Sequence, residues 1–426
     1  MSDNWPKVPV SQVATIVLGG TPSRRLSSFW NGKIPWATAR DVASVSGRYL
    51  EKVQEYITEE GLQHSAAKLL PKGTILMTAR GTVGSLAMTG HDMAFNQTCY
   101  ALVPKEAIDK DFLYYVLKGT LKEMEALTYG TIFSTITIQT FNNWLIPLPN
   151  IEEQKAIAHI LGTLDDKIEL NHRMNETLEQ MARAIFKSWF VDFDPVRAKM
   201  SGHWKKGESL PGLPAYLWDL FPDRLVPSQT GNIPEGWFLP RFEDITEVKQ
   251  GIYIPNEELR YYPIGEYIYP VWGGNGIRGY ARYKMYDDPV VLITCRGSNC
   301  GLINITESPS WVSNIAFACR AKLSSGFFLK IYLDNINFKN FISGSAQPQI
   351  TYSSLQMMDL GIPISPLICI KFSEVTQPFF SKLLLNKRES LYLSLLRDAL
   401  LPKLLKGKIN LFDIKAIINE DKNALG

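Results

Sequence analysis

The strongest constraint in this chain is a helix-forming stretch that occurs twice. Residues 151–190 place Ile157, Leu161, Leu164, Ile168, Asn171, Asn175, Leu178, Ala182, Ile185 and Trp189 at alternating steps of four and three. That spacing is a heptad seam. Some 40 helical residues at ~1.5 Å each make a rod of roughly 60 Å. Asn150 precedes Glu152 and Glu153, so a cap, a capping-box acid and the positive end of the helix dipole coincide. A constant shift of 215 residues carries the pattern onto Phe372, Thr376, Phe379, Leu383, Asn386, Ser390, Leu393, Leu400 and Leu404. Asn171 falls on Asn386, Arg173 on Arg388 and Leu178 on Leu393. The second stretch opens with Ser365-Pro366 and closes with Lys403, Lys406, Gly407 and Lys408, the residues each terminus favours. Pro402 is expected to kink or shorten its last turn.

A globular block precedes each helix, and the blocks echo one another. Trp5…Gly19 matches Trp237…Gly251, with Val10 on Phe242 and Val13 on Ile245. Thr78-Ala79-Arg80-Gly81 matches Thr294-Cys295-Arg296-Gly297, and Phe95-Asn96 matches Ser313-Asn314. Gly130-Thr131 matches Gly344-Ser345, and Ile146-Pro147 matches Ile362-Pro363. In the first block the runs 8–18, 34–37, 74–79 and 94–103 read as strands, and 111–118 as a short amphipathic helix. The expected fold is therefore α+β, with two similar α/β domains joined by two long antiparallel coiled-coil helices in pseudo-twofold symmetry. The domains are expected at 1–149 and 237–363. The long helices should occupy 150–194 and 364–408, a Pro/Gly-rich linker 195–236, and a tail 409–426.

A chain of 426 residues exceeds one core. No apolar run approaches the ~20 residues of a membrane span, and the N-terminus lacks a signal pattern, so the protein is expected to be cytoplasmic with no membrane contact. The five cysteines are scattered and no histidine lies near the closest pair, Cys295 and Cys300, which argues against a metal. The net charge of +3 permits nucleic-acid binding without requiring it. No phosphate-cradling Gly-x-x-x-x-Gly-Lys-Ser/Thr is present, nor the Asn/Asp-Pro-Pro-aromatic motif of amino-methyltransferases. Gly274-Asn275-Gly276-Ile277-Arg278-Gly279 has dinucleotide-binding spacing. The aromatic, charged residues that follow open no crossover helix, so a loop presenting Asn275 and Arg278 is expected instead. Asp223 and Glu247-Val248-Lys249 fit a loose metal-dependent nuclease pattern, but Glu247 corresponds to Thr15 in the other copy. No catalytic residue is assigned. A rigid spacer with two readers suits a periodic target such as DNA. It equally suits a coiled-coil scaffold that holds only proteins.

The run Ile146-Pro147-Leu148-Pro149, then Glu153-Gln154-Lys155-Ala156-Ile157, then Leu164-Asp165-Asp166-Lys167-Ile168, resembles the central helix of specificity subunits of type I restriction–modification systems. Trp189-Phe190-Val191-Asp192-Phe193-Asp194-Pro195-Val196 and Gly231-Asn232-Ile233-Pro234-Glu235-Gly236-Trp237 resemble it too. The resemblance covers nearly the whole chain. It departs at the second helix, where Ser365-Pro366-Leu367-Ile368-Cys369 replaces the Glu-Gln pair. It implies a non-catalytic subunit whose two target-recognition domains read the halves of a bipartite, asymmetric double-stranded DNA site. It further implies helices that carry adenine-N6 methyltransferase (modification) subunits and organise ATP-driven restriction subunits. S-adenosylmethionine, ATP and Mg would serve those other subunits, and this chain would hold no cofactor.

Base edges are read by forked cations and amides, and backbones by cations, hydroxyls and free amides. In the first block the candidates are Arg24, Arg25, Thr38, Arg40, Arg80, Thr82, Ser85 and Gln97. In the second they are Lys249, Gln250, Tyr253, Asn275, Arg278, Arg296, Ser298, Asn299, Gln347 and Gln349. Arg80 and Arg296 recur in both copies, which favours a shared task such as phosphate binding. Asn96 and Asn314 recur as well and read as structural. Glu152, Lys155, Glu169, Arg173, Glu176 and Arg183 lie off the seam and are expected to meet the modification subunits.

Overall fold

The computed structural model describes residues 5–128, 135–344 and 347–409. The matched Gly130-Thr131 and Ser345 and the tail from Asn410 lie outside them. The chain divides into two compact units, residues 1–172 with 387–426, and residues 173–386. Each unit holds one globular block and a segment of both long helices, Ile151–Phe186 and Pro366–Leu405.

The first unit is built on a five-stranded sheet, in the order Ala14–Leu18, Cys99–Pro104, Ile75–Thr78, Leu86–Thr89, Tyr49–Leu50. The second has a four-stranded sheet in the corresponding order, Thr246–Gln250, Ala316–Ala321, Val291–Thr294, Ile303–Ile305. A three-stranded sheet accompanies each. In the first unit Trp30–Ala37 lies between Glu55–Ile57 and Ala94–Phe95; in the second Tyr269–Gly273 lies between Gly276–Ala281 and Trp311–Val312. In both the central strand runs parallel to its third member. The run 8–18 is not one strand: a single turn of helix, Val10–Val13, breaks it, and Phe242–Ile245 does the same in the second unit. That turn buries the matched Val10, Val13, Phe242 and Ile245, which a continuing strand would send to opposite faces.

Glycine recurs at 19 and 251 because backbone passes too close for a side chain. A Cβ at Gly19 would lie 2.2 Å from the Asn96 carbonyl oxygen, and one at Gly251 2.2 Å from that of Ser313. The repeated Phe95-Asn96 and Ser313-Asn314 supply that backbone.

The seam of the first long helix is buried at Ile157, Leu161, Ile168, Asn171, Asn175, Ala182 and Trp189. At two steps the deeper residue is the next one along, Asp165 rather than Leu164 and Phe186 rather than Ile185. A 3.6-residue turn drifts against a 3.5-residue repeat. In the first unit the helices pair antiparallel. Asp165 accepts from Arg397 at 2.6 Å, and Asn171 Nδ2 donates to Glu389 at 2.8 Å. In the second unit the direction is the same, with Asn386 Nδ2 donating to Asn175 Oδ1 at 2.9 Å and Phe186 packing on Phe372. The second helix continues through Pro402 to Leu405. A proline so near the end forfeits one amide donor, and packing of Leu401, Leu404 and Leu405 into the first core holds the turn.

The motif residues at the start of the first long helix act as fasteners. Asn150 Oδ1 accepts from the Glu153 amide at 2.9 Å, and Glu153 accepts from the Asn150 amide in return. The buried Gln154 accepts from the Asp109 amide at 2.8 Å and donates to the carbonyls of Pro149 and Ala107. The same register position in the second helix holds Cys369, fully buried, so an apolar contact replaces that polar staple. Asp165 also accepts from the Tyr115 hydroxyl at 2.7 Å, and Asp166 holds Arg48 at 2.7 Å.

The segment 195–236, expected as a linker, is folded into the second core. Its Trp204, Leu213, Leu217 and Phe221 are buried there. Its prolines shape turns and a short strand pair, Leu225–Ser228 with Gly231–Pro234. The first helix ends in a wider turn, Lys187–Val191, before Phe193 adopts a left-handed conformation and Asp194-Pro195 open the next helix. Trp237 closes against Phe190, Phe193 and Phe221, with ring centres 5.6–6.4 Å apart. Aromatic bulk decided over proline content.

Candidate nucleic-acid interface

In the second unit most of the sequence candidates gather at one end of the main sheet. Strand Val291–Thr294 ends there, and the Thr294 hydroxyl donates to the Gly274 carbonyl at 3.0 Å. This ties the strand end to the hairpin Tyr269–Gly273/Gly276–Ala281, whose tip is Gly274-Asn275. Cys295 pairs by backbone with Ile315 and Ile350, and the Gly297 amide donates to the Pro348 carbonyl. The loop 296–299 therefore lies between the hairpin tip and the segment carrying Gln347 and Gln349.

These elements enclose an open cleft of about 300 Å³ lined by Asn275, Arg278, Arg296, Ser298 and Asn299 among others. Its lining holds two guanidinium groups and no carboxylate. Asn299 Nδ2 donates to Asn275 Oδ1 across it. Gln250 lies beside it, donating to the Asn314 carbonyl at 2.7 Å. Tyr253 is well exposed. Lys249 pairs with Glu247 at 3.1 Å, and that hydrogen bond holds the Glu247 carboxyl below its usual range. Burial raises the Cys295 thiol pKa above its ordinary value. A concave surface of fixed donors without acid suits phosphate oxygens and the acceptor edges of bases.

The first unit presents the equivalent edge differently. Arg80 and Thr82 are exposed in the loop after Ile75–Thr78. The Ile136 amide donates to the Ala79 carbonyl at 3.2 Å, as Ile350 does to Cys295 at 3.0 Å. Gln97 accepts from Thr21, and Asn96 closes a turn by accepting from the amide and hydroxyl of Thr98. Ser85 bonds back onto the same loop. Arg40 is exposed in the helix Ala39–Ser44.

Two candidates have structural duties that sequence spacing did not reveal. Thr38 caps Ala39–Ser44 in a reciprocal box with Asp41. Arg24 makes a two-pronged pair with Glu55 and stacks over Trp30 at 3.7 Å. That hydrogen bond raises the Arg24 pKa and lowers that of Glu55. Arg25 is exposed and forms no ion pair among the described residues. On the first long helix Glu152, Lys155, Arg173 and Glu176 are exposed and Glu169 is half-buried. Arg183 is instead bound to Asp334 at 2.6 Å. Sequence reading missed Asn256, which contacts Arg278 from 22 positions away; no local pattern marks such a pair. Among the described residues no group of three or more His, Cys, Asp and Glu is placed to hold a metal, and no helix is long and apolar enough to cross a membrane.

The architecture is a duplicated α+β module, each copy followed by a long helix, with donor-rich loops at the end of the sheet. Residues 2–180 match the family model described as the type I restriction modification DNA specificity domain. The chain is 27% identical to the specificity subunit of type I restriction enzyme MjaIX of Methanocaldococcus jannaschii, over 96% of this chain and 95% of that one. It is 26% identical to the EcoprrI specificity subunit of Escherichia coli, over 84% and 83%. The fold is shared with the crystal structure of a type I restriction–modification S subunit from M. genitalium, at 19% identity, a TM-score of 0.54 and coverage of 94% and 96%. The chain is therefore similar to type I restriction–modification specificity subunits over nearly its whole length, and its residues 2–180 carry the matching domain.

Proposed function

We propose that this subunit reads a bipartite, asymmetric double-stranded DNA site, one half with each block. The blocks, 1–149 and 237–363, serve as its two recognition domains. One observation carries the reading. The two units keep the same strand order and the same Arg-Gly-hydroxyl loop, Arg80-Gly81-Thr82 and Arg296-Gly297-Ser298. The neighbouring presented residues differ, Arg40 in one and Asn275 and Arg278 in the other. A constant scaffold with changed donors is what two readers of different sequences require. The repeated arginines take phosphates, and the divergent donors take base edges.

The exposed faces of the long helices, with Glu152, Lys155, Glu169, Arg173 and Glu176, dock adenine methyltransferase subunits. Restriction subunits join that cytoplasmic assembly. S-adenosylmethionine, ATP and Mg belong to those partners. The test is co-expression with the cognate methyltransferase and genome-wide mapping of methylated adenines. A single two-part motif, present with this chain and lost without it, is expected. Methylation indifferent to the chain would return it to the class of protein scaffolds.

A further inference from the structure

We propose that Arg278 reads a guanine and that Asn256 is the positioning residue that sets the angle at which it does so. This rests on the DNA-reading role above and names the base and the second residue. Three features converge on the Arg278 side chain. It occupies a β-bulge: Val271 pairs with Gly279 and Trp272 with Ile277, which leaves Arg278 without a partner in the ladder. Bulges re-aim a side chain relative to the sheet. Its aliphatic stem then lies along Gly273, where a Cβ would come within 2.8–2.9 Å of the Arg278 Cδ and Cγ. Glycine at 273 therefore makes the groove for that stem. Finally, Nη2 donates to Asn256 Oδ1 at 2.8 Å, and Nη1 lies 3.4 Å from the Ser313 hydroxyl.

A free arginine loses rotamer entropy when it grips a base, and this one is already held. The Asn256 oxygen takes one Nη2 hydrogen and the Ser313 hydroxyl one Nη1 hydrogen, which leaves the second hydrogen on each nitrogen for the cleft that Arg278 lines. Paired donors at that spacing match O6 and N7 of guanine, and no other base edge in the major groove offers two acceptors side by side. Phosphate can be held by a simple point charge such as a lysine, so phosphate binding alone does not require a fork fixed at this angle. The bulge, the glycine groove and the amide clamp all fix it. Asn256 is exposed at the start of the turn Asn256–Glu258, so replacing it removes the clamp without opening a core.

The experiment uses the full chain with its methyltransferase partner and reads base preference at every motif position from the methylated genome. With Asn256→Ala, discrimination at one guanine of one half-site should fall roughly tenfold, with the other half-site unchanged. Asn256→Asp, which keeps an acceptor for Nη2, should restore the preference. Arg278→Lys, which keeps the charge and loses the fork, should lose it. The assignment is overturned if Asn256→Ala changes no position, relaxes all positions equally, or acts at a base other than guanine. A wild-type chain that directs no motif overturns the underlying reading, and the assignment with it.

Discussion

Replacing Arg397 by alanine should cost the first unit about 3–5 kcal/mol. In that unit Asp165 is 5% exposed and Arg397 14%, and they meet at 2.6 Å. Truncating the cation leaves a buried carboxylate whose other partner is the Tyr115 hydroxyl at 2.7 Å. Breaking a buried pair from one side typically costs ~3–5 kcal/mol, because the survivor stays desolvated. The reverse change should cost less. Asp165→Asn keeps an acceptor for Tyr115, and Arg397 still has the half-exposed Asp398 at 2.8 Å, so about 1–3 kcal/mol is expected. The asymmetry is the diagnostic feature. Denaturant titration gives the totals, and hydrogen exchange over helix Lys110–Gly119 and residues 157–168 localises them. A loss near 0–1 kcal/mol for Arg397→Ala, the range of exposed pairs, would refute the reasoning. So would equal losses for both variants. Tyr115 adds a pH signature. Burial, then the charge of Asp165, raises its folded pKa. The stability it contributes is complete below the unfolded value of about 10 and is lost as pH rises above it. Tyr115→Phe should flatten that alkaline decline.

Two further outcomes are expected. Gly19→Ala and Gly251→Ala each force a Cβ to 2.2 Å from a backbone oxygen, so each should destabilise its own unit by about 1–3 kcal/mol or more, read by protease sensitivity of the two halves. Arg80→Ala and Arg296→Ala should each weaken binding across all sequences and reduce the log–log salt slope by about 1, with base preference intact; a changed motif in methylation mapping would instead make them base readers.

The duplicated sheets were legible because alternating apolar runs and glycine-marked turns are local signals. Strand Trp30–Ala37 and helix Lys110–Gly119 fall close to their expected positions. The segment 195–236 was misread for the opposite reason. Proline and glycine report backbone breaks, but whether the pieces between them are buried depends on what they meet. Trp204, Leu217 and Phe221 meet the Phe186–Phe190 end of the long helix and its aromatic neighbours. The candidate site divides the same way. Asn275 and Arg278 stand out in a glycine-rich turn, and Arg296 by repetition. Arg24 looked free because Glu55, its partner, is 31 residues away.

By itself, the sequence determined that there are two long helices, that they repeat at a fixed shift, and that each follows one copy of a mixed α+β block. Periodicity and self-similarity are properties of the linear chain and survive without coordinates. Tertiary structure alone decided which polar residues are spent on holding the protein together and which remain to face a target. Thr38, Gln154, Asp165 and Arg183 are committed to caps, staples and ion pairs, while Asn275, Arg278, Arg296 and Asn299 share a cleft without acid. A side chain's availability depends on its neighbours in space, and those are set by long-range packing that no local spacing encodes.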